Sequence, residues 1–571
     1  MGANVTPLLL PLGIWLMMSA AAPRNKEGRI AASGLLAFAL AACAFFAVGF
    51  GLMFGGIGAV LDAPGLSRFV TYYTFPVAGQ AWGLLGLRGF LLGDATTPEA
   101  LSLFIAYLPL VATSAMLMAG LMARRSGFIA QTIVIGIVSG IIFPIAGFWV
   151  WGGGWLAKTG LNLNLGHGVV DLGGLATTGL IAGAASAVWL LISPKRRRRV
   201  APDLPANHFP FRALSGGVLV LIGASSFVAG NPLYGSQSSS IAGAYAVNLV
   251  LAGVVAAALA LAYSFVTTRR ADALCAARAT LAAVIIISAG GPLLSVGLAA
   301  ALGIVAALLA TVGMYVINEV LGWLDDNAVV STAGLAGAIG LLAVGLFANG
   351  SFGVGWNGVG GTSFLGKSGL GIVGAVTFGA TPADPGQFTA QLTAIGAIIA
   401  LTVMVFGVPA IALHKVIRAQ HSVEIEEAAE TRAVATPNAP ADGAYRQENA
   451  QSLQPVAATQ LATESDDTPP AIPAPATLGE LPLHRPGVDV PANGNGSAPA
   501  DAQPGVDAPG EAAPGRSLLD RIRRGRTKPD EQEAPPRARH VAYPNRGPAR
   551  RIVIRPLTND QPSQPPAADE T

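Results

Sequence analysis

Apolar residues occupy this chain in long runs that short polar connections separate. A transmembrane α-helix needs about 20 predominantly apolar residues to cross the hydrocarbon core of a bilayer, and eleven runs approach that length. The runs cover approximately residues 5–22, 31–56, 100–122, 128–151, 168–193, 212–230, 240–266, 278–294, 297–320, 328–348 and 387–417. The pattern predicts an all-α membrane protein with about eleven transmembrane helices.

Basic residues mark every second connection between the runs. PRNKEGR follows the first run, ARRSG the third, PKRRRR the fifth, TTRRADALCAAR the seventh and HKVIRAQ the eleventh. Lys and Arg near the ends of transmembrane helices accumulate on the cytoplasmic side. We therefore expect a multi-pass protein of the cell membrane with its N-terminus outside and its C-terminus in the cytoplasm. Because positive charges follow the first run instead of preceding it, we interpret that run as a transmembrane helix and not as a signal peptide.

The chain changes character after the last apolar run. From about residue 433 it is rich in Ala, Pro, Gly, Asp and Glu and poor in aromatic residues, so it cannot bury enough apolar surface to fold. We expect a transmembrane domain over residues 1–420 and a cytoplasmic, disordered Ala/Pro-rich tail over 421–571. The tail contains two basic segments, which we interpret as solvated, although anionic lipid would attract them.

The composition agrees with a membrane protein and offers few groups for other chemistry. Hydrophobic residues make up 52% of the 571 and charged residues 12%, which excludes an ordinary soluble domain. Cys43 lies in the second apolar run and Cys275 just before the eighth, so we expect buried thiols and neither a disulfide nor a metal site. Residues 361–368 match the phosphate-loop pattern GxxxxGK[ST], but they lack the preceding strand and following helix that such a loop needs. We expect no enzyme activity, no cofactor and no nucleic acid partner.

The most informative stretch closes the fourth run and opens the fifth. The fourth run ends in an aromatic cluster and three glycines, and the fifth carries His167 and Asp171. Four residues apart, these side chains would share one face of a helix. A carboxylate inside a membrane costs about 2.5–3.5 kcal/mol on insertion scales and usually faces an interior path. We predict that Asp171 lines a pore with His167 beside it. The alternative is a helix-start Asp171 that hydrogen-bonds His167 and stabilises packing, with His167 as an ordinary hydrogen-bonded residue.

Four segments resemble the ammonium transporter family (Amt/Mep/Rh). AGLMARRSG and FWVWGGGWLAKTG resemble the family's third and fourth helices, where G-A-L-A-E-R and V-W-G-G-G-W-L motifs occur at the same separation. GHGVVDLGGLATTGLIAG resembles its fifth helix, and LDDNAVVSTAGLAGAIGLLAVGLFA its tenth. The likeness covers roughly residues 1–420. It implies eleven helices, as two inverted five-helix repeats plus a final helix, and a homotrimer with one pore per subunit.

Four positions carry over from the family's outer ammonium site and gate. Trp151 matches the tryptophan that closes the site, where an aromatic face attracts a cation. Phe227 matches one of two stacked gate phenylalanines. Leu110 falls on the other gate position and keeps bulk without an aromatic face. Asn231 falls on the family's serine and still offers hydrogen bonds.

Three positions depart from the family pattern. The paired pore histidines fall on Asp171 and Ala333, so neither imidazole is present. The family's structural aspartate falls on Leu163. Without paired imidazoles the proton relay proposed for the family has no carrier, and Asp171 would stabilise a cation directly, with His167 one turn outward.

The resemblance predicts transport of ammonium or ammonia through a divergent pore. Two alternatives stay open: a receptor or scaffold that transports weakly and signals through its tail, and a transporter of another small solute. The segment HKVIRAQHSVEIEEAAE resembles only weakly the family region that contacts PII-type signalling proteins. A PII-type partner at the cytoplasmic face is therefore an expectation from the family and not from a motif.

A reporter enzyme that is active only outside the cytoplasm tests the predicted orientation. Fused after Gly235 it should be active, because that connection is predicted to lie outside. Fused after Arg198, inside the most basic connection, it should be inactive. The reverse pattern would reject the eleven-helix arrangement.

Overall fold

Eleven apolar helices dominate the computed structural model, which describes residues 4–22, 26–60, 64–93, 97–123, 125–193, 209–377 and 381–435. Eight have at least 18 residues and three are shorter. The helices are α1 (Thr6–Ala20), α2 (Glu27–Ala59), α3 (Pro98–Met122), α4 (Phe128–Val150), α5 (Leu175–Ile192), α6 (Pro210–Ser225), α7 (Ser240–Thr268), α8 (Ala273–Ser288), α9 (Val296–Val320), α10 (Val330–Phe347) and α11 (Pro385–Ile417). The prediction of an all-α protein with about eleven membrane helices is confirmed.

Most helix boundaries lie within a few residues of the predicted runs, and the exceptions have local causes. Helix α5 begins seven residues later than predicted, directly after Gly174. The φ of Gly174 is +73°, which is outside the range of a right-handed helix, so the helix does not extend back through it. Helix α8 begins and ends about five residues earlier than predicted, and α6 ends at Ser225. The helix that contains α11 continues to Ala435. The predicted tail is therefore helical at its start, and from residue 436 it lies outside the described residues.

The helix contacts repeat between the two halves of the chain. In the first half α2 packs on α3 and α4, α3 also contacts α1, and α5 contacts α3. In the second half α7 packs on α8 and α9, α8 also contacts α6, and α10 contacts α8. Helices α4 and α9, which correspond in this scheme, each contain a π-helical turn, at Val138–Ile142 and Leu309–Gly313. Because each repeat has an odd number of helices, the second repeat crosses the membrane in the opposite sense, as in inverted repeats.

Corresponding helices of the two repeats meet at glycines. A Cβ atom on Gly183 of α5 would lie 2.2 Å from the Cα of Gly334 in α10. Helix α1 meets α6 in the same way, since a Cβ on Gly13 would lie 2.6 Å from the carbonyl oxygen of Gly216. Small residues allow the helix backbones to approach this closely. The resulting van der Waals contacts stabilise the pair, since lipid provides no hydrophobic driving force for helix association. Helix α11 packs against both α5 and α10.

Two short hairpins lie in the connections. Strands β1 (Tyr72–Val77) and β2 (Gln80–Gly86) pair antiparallel between α2 and α3. Strands β3 (Ser363–Phe364) and β4 (Lys367–Ser368) pair between α10 and α11. The second hairpin contains the phosphate-loop match, so those residues form a two-residue turn between short strands instead of a strand, loop and helix.

The two cysteines differ in their surroundings. Cys275 in α8 is buried, as predicted, whereas Cys43 in α2 is exposed, and both are free thiols. The prediction of two buried thiols is therefore wrong for Cys43. It lies on a face of α2 that no helix among the described residues covers, and an apolar run alone does not reveal this.

The close contact between α5 and α10 predicts that a methyl group added at Gly183 destabilises the protein more than one added at Gly407. Gly183→Ala places its Cβ against the backbone of Gly334, so the helices must separate, and overpacking of this kind costs about 1–3 kcal/mol. Gly407→Ala in α11 is the matched control, because a Cβ there meets nothing within 4 Å. Thermal unfolding in detergent should show a lower midpoint for Gly183→Ala alone. Equal midpoints would contradict the close contact.

Candidate functional site

A cavity of about 220 Å³ lies beside the end of α4. It is bounded by the α4–α5, α6–α7 and α10–α11 connections, which all fall on the side predicted to be outside. The lining residues are Ile57, Val60, Val150, Trp151, Leu233, Tyr234 and the loop 353–358. We call this space the outer cavity.

Aromatic rings form part of the wall of the outer cavity and continue behind it. The ring of Trp151 lies 5.4 Å from that of Tyr107, and Tyr107 contacts Phe227 edge-to-face at 5.5 Å. Tyr234 and Trp356 stack at 5.7 Å on the cavity wall. Ring faces carry partial negative charge, so a cation in this space is attracted to them.

A pair of buried polar side chains, Tyr107 and Asn231, adjoins the aromatic cluster, and we call this pair the polar gap. Tyr107 and Asn231 are 0% and 2% exposed. The Tyr107 hydroxyl and the Asn231 side-chain amide interact with each other, but neither the hydroxyl nor the amide nitrogen forms a hydrogen bond of good geometry with a described residue. The amide oxygen of Asn231 accepts a bond from the backbone N–H of Leu233. Since buried polar groups normally have partners, this gap suits a small hydrogen-bonding guest.

Residues 164–174, which we call the non-helical segment, connect the short helix Thr159–Leu163 to α5. The prediction that His167 and Asp171 share a helix face is therefore wrong. Gly168 has φ +68°, and a Cβ there would lie 2.3 Å from the carbonyl oxygen of Ala157. Both the backbone angle and the close approach require glycine at this position.

Side chains from α11 satisfy the backbone of the non-helical segment. Gln387 accepts a hydrogen bond from the His167 backbone N–H and donates one to the Gly168 carbonyl, both at 2.8 Å. Gln391 donates to the Val170 carbonyl at 2.9 Å. A buried backbone polar group without a partner is costly, and in a membrane water does not supply one. These two glutamines let a non-helical chain enter the protein interior.

Asp171 closes the non-helical segment and caps α5. Its carboxylate accepts hydrogen bonds from the backbone N–H groups of Gly174 at 2.9 Å and Thr177 at 2.8 Å. Its backbone carbonyl accepts a bond from Trp151 Nε1 at 2.9 Å. Burial raises the pKa of the Asp171 carboxyl to about 6, and the bonds from Thr177 and Gly174 oppose that rise. The carboxylate therefore caps the start of α5, as the alternative interpretation predicted. Among the described residues it does not form the hydrogen bond to His167 that this interpretation also predicted.

His167 is fully buried behind the outer cavity. Its ring lies 4.4 Å from that of Phe364, and neither ring nitrogen has a hydrogen-bond partner among the described residues. Burial lowers the pKa of His167 to about 4. The imidazole is therefore neutral at pH 7 and adds no positive charge near the cavity.

The structure brings Phe227 to a different partner from the one predicted. Its ring contacts Tyr107, whereas Leu110 packs against Gly174 beside Trp151. Tyr107 precedes Leu110 by three residues, so both lie on one face of α3. The contact between Phe227 and Tyr107 was not predicted from the sequence, and the assignment of Leu110 to the gate stays a prediction.

Two other assigned positions lie away from the aromatic cluster. Leu163 is 54% exposed at the end of its short helix, and the carboxylate next to Trp151 belongs to Asp171 instead. The carbonyl of Ala333 lies against Gly179, eight residues after Asp171. Helices α5 and α10 therefore meet at Gly179 and Ala333, and neither of these residues contributes an ionisable side chain.

Comparisons with known proteins agree on one family. The model of the Ammonium Transporter Family matches residues 8–433. Ammonium transporter Amt2 of Archaeoglobus fulgidus is 28% identical over 337 residues, which are 57% of this chain and 66% of that protein. A putative ammonium transporter of Synechocystis is 27% identical over 285 residues, or 48% of this chain and 58% of that protein. The matches thus span slightly less than two thirds of these relatives.

Solved structures show the same fold. A Sensor Amt Protein superimposes with a TM-score of 0.56 and 23% identity, covering 72% of this chain and 91% of that one. Mep2 of Candida albicans superimposes with a TM-score of 0.53 and 18% identity, covering 71% and 83%. At these identities the likeness describes the fold alone.

Replacing Asp171 by Asn should reveal its capping role. An amide offers one oxygen where the carboxylate offers two, so Gly174 or Thr177 loses a partner in a buried place, at a cost of about 1–3 kcal/mol. Asp272→Asn is the matched control, because Asp272 accepts from two backbone N–H groups at the start of α8 but is exposed. Asn caps exposed helix ends about as well as Asp. The thermal midpoint in detergent should fall for Asp171→Asn only, and equal changes would contradict the buried cap.

Proposed function

We propose that this chain, which belongs to the Ammonium Transporter Family, carries ammonium or ammonia across the cell membrane through a pore in each subunit. The observation that carries this proposal is the outer cavity with Trp151 at its wall and Tyr107 and Phe227 behind it. The names of the relatives point to the same solute. Neither a receptor role nor another solute has an observation of its own in its favour.

Recruitment of a cation rests on two electrostatic features. The first is the set of ring faces around the outer cavity, where a cation gains about 0.5–2 kcal/mol per favourable ring. The second is the Asp171 carboxylate, whose field reaches both Tyr107 and Tyr234. Above about pH 6 this group is ionised, so its charge favours a cation in front of Trp151 even though its oxygens are used for capping.

Passage beyond the outer cavity requires the edge-to-face pair of Tyr107 and Phe227 to move. The two rings are buried and in contact, so they close the route in this conformation. Next to the pair, the Tyr107 hydroxyl and the Asn231 amide, which form no hydrogen bond of good geometry, offer hydrogen bonds to a solute that has lost part of its water. Asp171 and Ala333, the positions that correspond to the family's paired histidines, supply no imidazole, so a proton relay through that pair of positions is not part of this proposal.

The proposal includes an orientation and an assembly. The three connections that border the outer cavity are those that the basic-residue pattern assigns to the outside, so we place the N-terminus outside and the C-terminus in the cytoplasm. The homotrimer and a PII-type partner at the cytoplasmic face rest on family resemblance. Exposed apolar side chains on α7 and α9, such as Val254 and Leu308, agree with faces covered by lipid or by another subunit.

Substitution of Trp151 tests the site. Trp151→Leu removes both the ring face and the hydrogen bond to Asp171, and a loss of about 1.4 kcal/mol lowers methylammonium uptake tenfold at subsaturating concentration. Trp151→Phe keeps a ring and should give an intermediate rate. Trp155→Leu is the control, because Trp155 packs on Trp149 and is not a lining residue of the outer cavity. Uptake that falls equally in the control, or does not fall in Trp151→Leu, would reject this site.

A further inference from the structure

The connection between α10 and α11 forms one wall of the outer cavity through its residues 353–358. Backbone hydrogen bonds join the two ends of this connection. The N–H of Gly350 donates to the carbonyl of Ile372 at 2.8 Å, and the N–H of Ile372 donates to the carbonyl of Phe352 at 2.9 Å. Residues 353–370 therefore leave the protein and return to it at one fixed neck, and we call them the lid.

Side chains of the lid hold it against the non-helical segment. Asn357 donates hydrogen bonds to the backbone carbonyls of His167 at 2.8 Å and of Val169 at 3.2 Å. The ring of Phe364 lies 4.4 Å from the imidazole of His167, edge to face. A loop that is held by a small number of side-chain contacts opens at a low free-energy cost, so these contacts decide whether the lid is closed.

The closed lid covers a titratable side chain that has no polar partner. His167 is 0% exposed, and neither of its ring nitrogens has a hydrogen-bond partner among the described residues. A Cβ atom on Gly360 of the lid would lie 3.3 Å from Nε2 of His167, so the lid backbone closes over that nitrogen. Release of the lid uncovers this side of the imidazole to water.

Each element around His167 carries a charged side chain, but none of these side chains pairs with the imidazole. They are Asp171 in the same segment, Asp384 before α11, Lys158 before the short helix Thr159–Leu163, and Lys367 in the lid. None of the four is bonded to a ring nitrogen of His167. The carboxylates of Asp171 and Asp384 accept hydrogen bonds from backbone N–H groups instead. An imidazolium under the closed lid would therefore be a buried charge without an acceptor, which is costly.

We propose that the lid opens and closes over the outer cavity and that His167 makes its closure sensitive to pH, so that acid outside the cell releases the lid. At neutral pH the imidazole is uncharged and packs against Phe364. In acid the imidazole takes up a proton, and water hydrates the charged ring when the lid lifts away from it. Asn357 then loses its two carbonyl partners, while the lid stays joined to the protein at its neck.

The direction of the pH effect follows from the pKa of His167 in the two positions of the lid. Under the closed lid burial lowers this pKa to about 4, whereas water returns it toward its ordinary value of 6.5 when the lid is released. Since the released state binds the proton more tightly, closure weakens as the pH falls below 6.5 and is unaffected above it. These two values make closure about 30-fold less favourable at pH 5 than at pH 7.5.

Release of the lid changes the outer cavity because it withdraws Trp356. In the closed lid this ring lines the cavity and stacks on Tyr234 at 5.7 Å. Without it, a cation in front of Trp151 loses one aromatic face, so uptake from dilute solution should fall in acid. The effect on uptake rests on the proposed transport function, whereas the movement of the lid does not.

Hydrogen–deuterium exchange of the whole chain in detergent measures the lid directly. In the unsubstituted protein, protection of the backbone amides of residues 353–370 should fall by up to about 30-fold from pH 7.5 to pH 5, after correction for the intrinsic exchange rate. His167→Leu keeps apolar bulk but does not titrate, so its lid should be equally protected at both pH values. His167→Phe serves if that variant does not fold.

Two further variants provide the reference and the control. Asn357→Ala removes both bonds to the non-helical segment and should give low protection at both pH values, which defines the released lid. His414→Leu is the matched control, because His414 lies toward the other end of α11 and its replacement should leave the response unchanged. Protection of the lid that does not fall in the unsubstituted protein, or that falls equally in His167→Leu, would overturn the inference.

Uptake of methylammonium into vesicles separates this inference from the transport function. Between pH 7.5 and pH 5 the Asp171 carboxyl loses charge in every variant, so the comparison with His167→Leu isolates the lid. Uptake at subsaturating concentration should fall further in the unsubstituted protein than in His167→Leu. Equal falls would overturn the effect of the lid on the site. Vesicles without uptake in any variant would overturn the transport function, while the exchange result stands.

Discussion

The non-helical segment imposes the main constraint on this structure. Inside a membrane protein every backbone N–H and C=O must find an internal partner, so a break in helical structure has to be satisfied by the surrounding elements. Here α11 supplies Gln387 and Gln391, and the end of α8 accepts bonds from Leu172 and Gly173 at 2.8 and 2.7 Å. Trp151 and Tyr234 donate to the next two carbonyls. These two aromatic residues line the outer cavity, so the bonds that satisfy the segment also orient the site.

The inverted repeat brings corresponding helices of the two halves of the chain together. Glycines hold α1 against α6 and α5 against α10, and the outer cavity lies at the connections on one side of these contacts. Aromatic rings and Asp171 occupy that outer side. The crossing itself includes Gly179 and Ala333, whose backbones lie close together, so neither of these two positions adds an ionisable side chain there.

The helices could be predicted from the sequence because hydropathy over about 20 residues reflects the bilayer directly. The start of α5 could not, since VVDLGGL is as apolar as a helix and the glutamines that hold it in a non-helical conformation lie 220 residues away. The same long-range dependence explains the error at Asp171, because its capping bonds require the non-helical backbone. Tyr107 was missed because matching by position selected Leu110. Arg278 was grouped with the basic connection before it, whereas α8 begins at Ala273 and carries it inward.

The central claim is that a specific site in this chain admits ammonium-like cations to a pore. It is tested most directly by the initial rate of labelled methylammonium uptake into vesicles that contain the unsubstituted protein, measured over a range of concentrations. The account predicts a rate that saturates, competition by ammonium, and no competition by potassium at the same concentration, since potassium donates no hydrogen bonds to the polar gap. A rate that rises linearly and equals that of protein-free vesicles would contradict it.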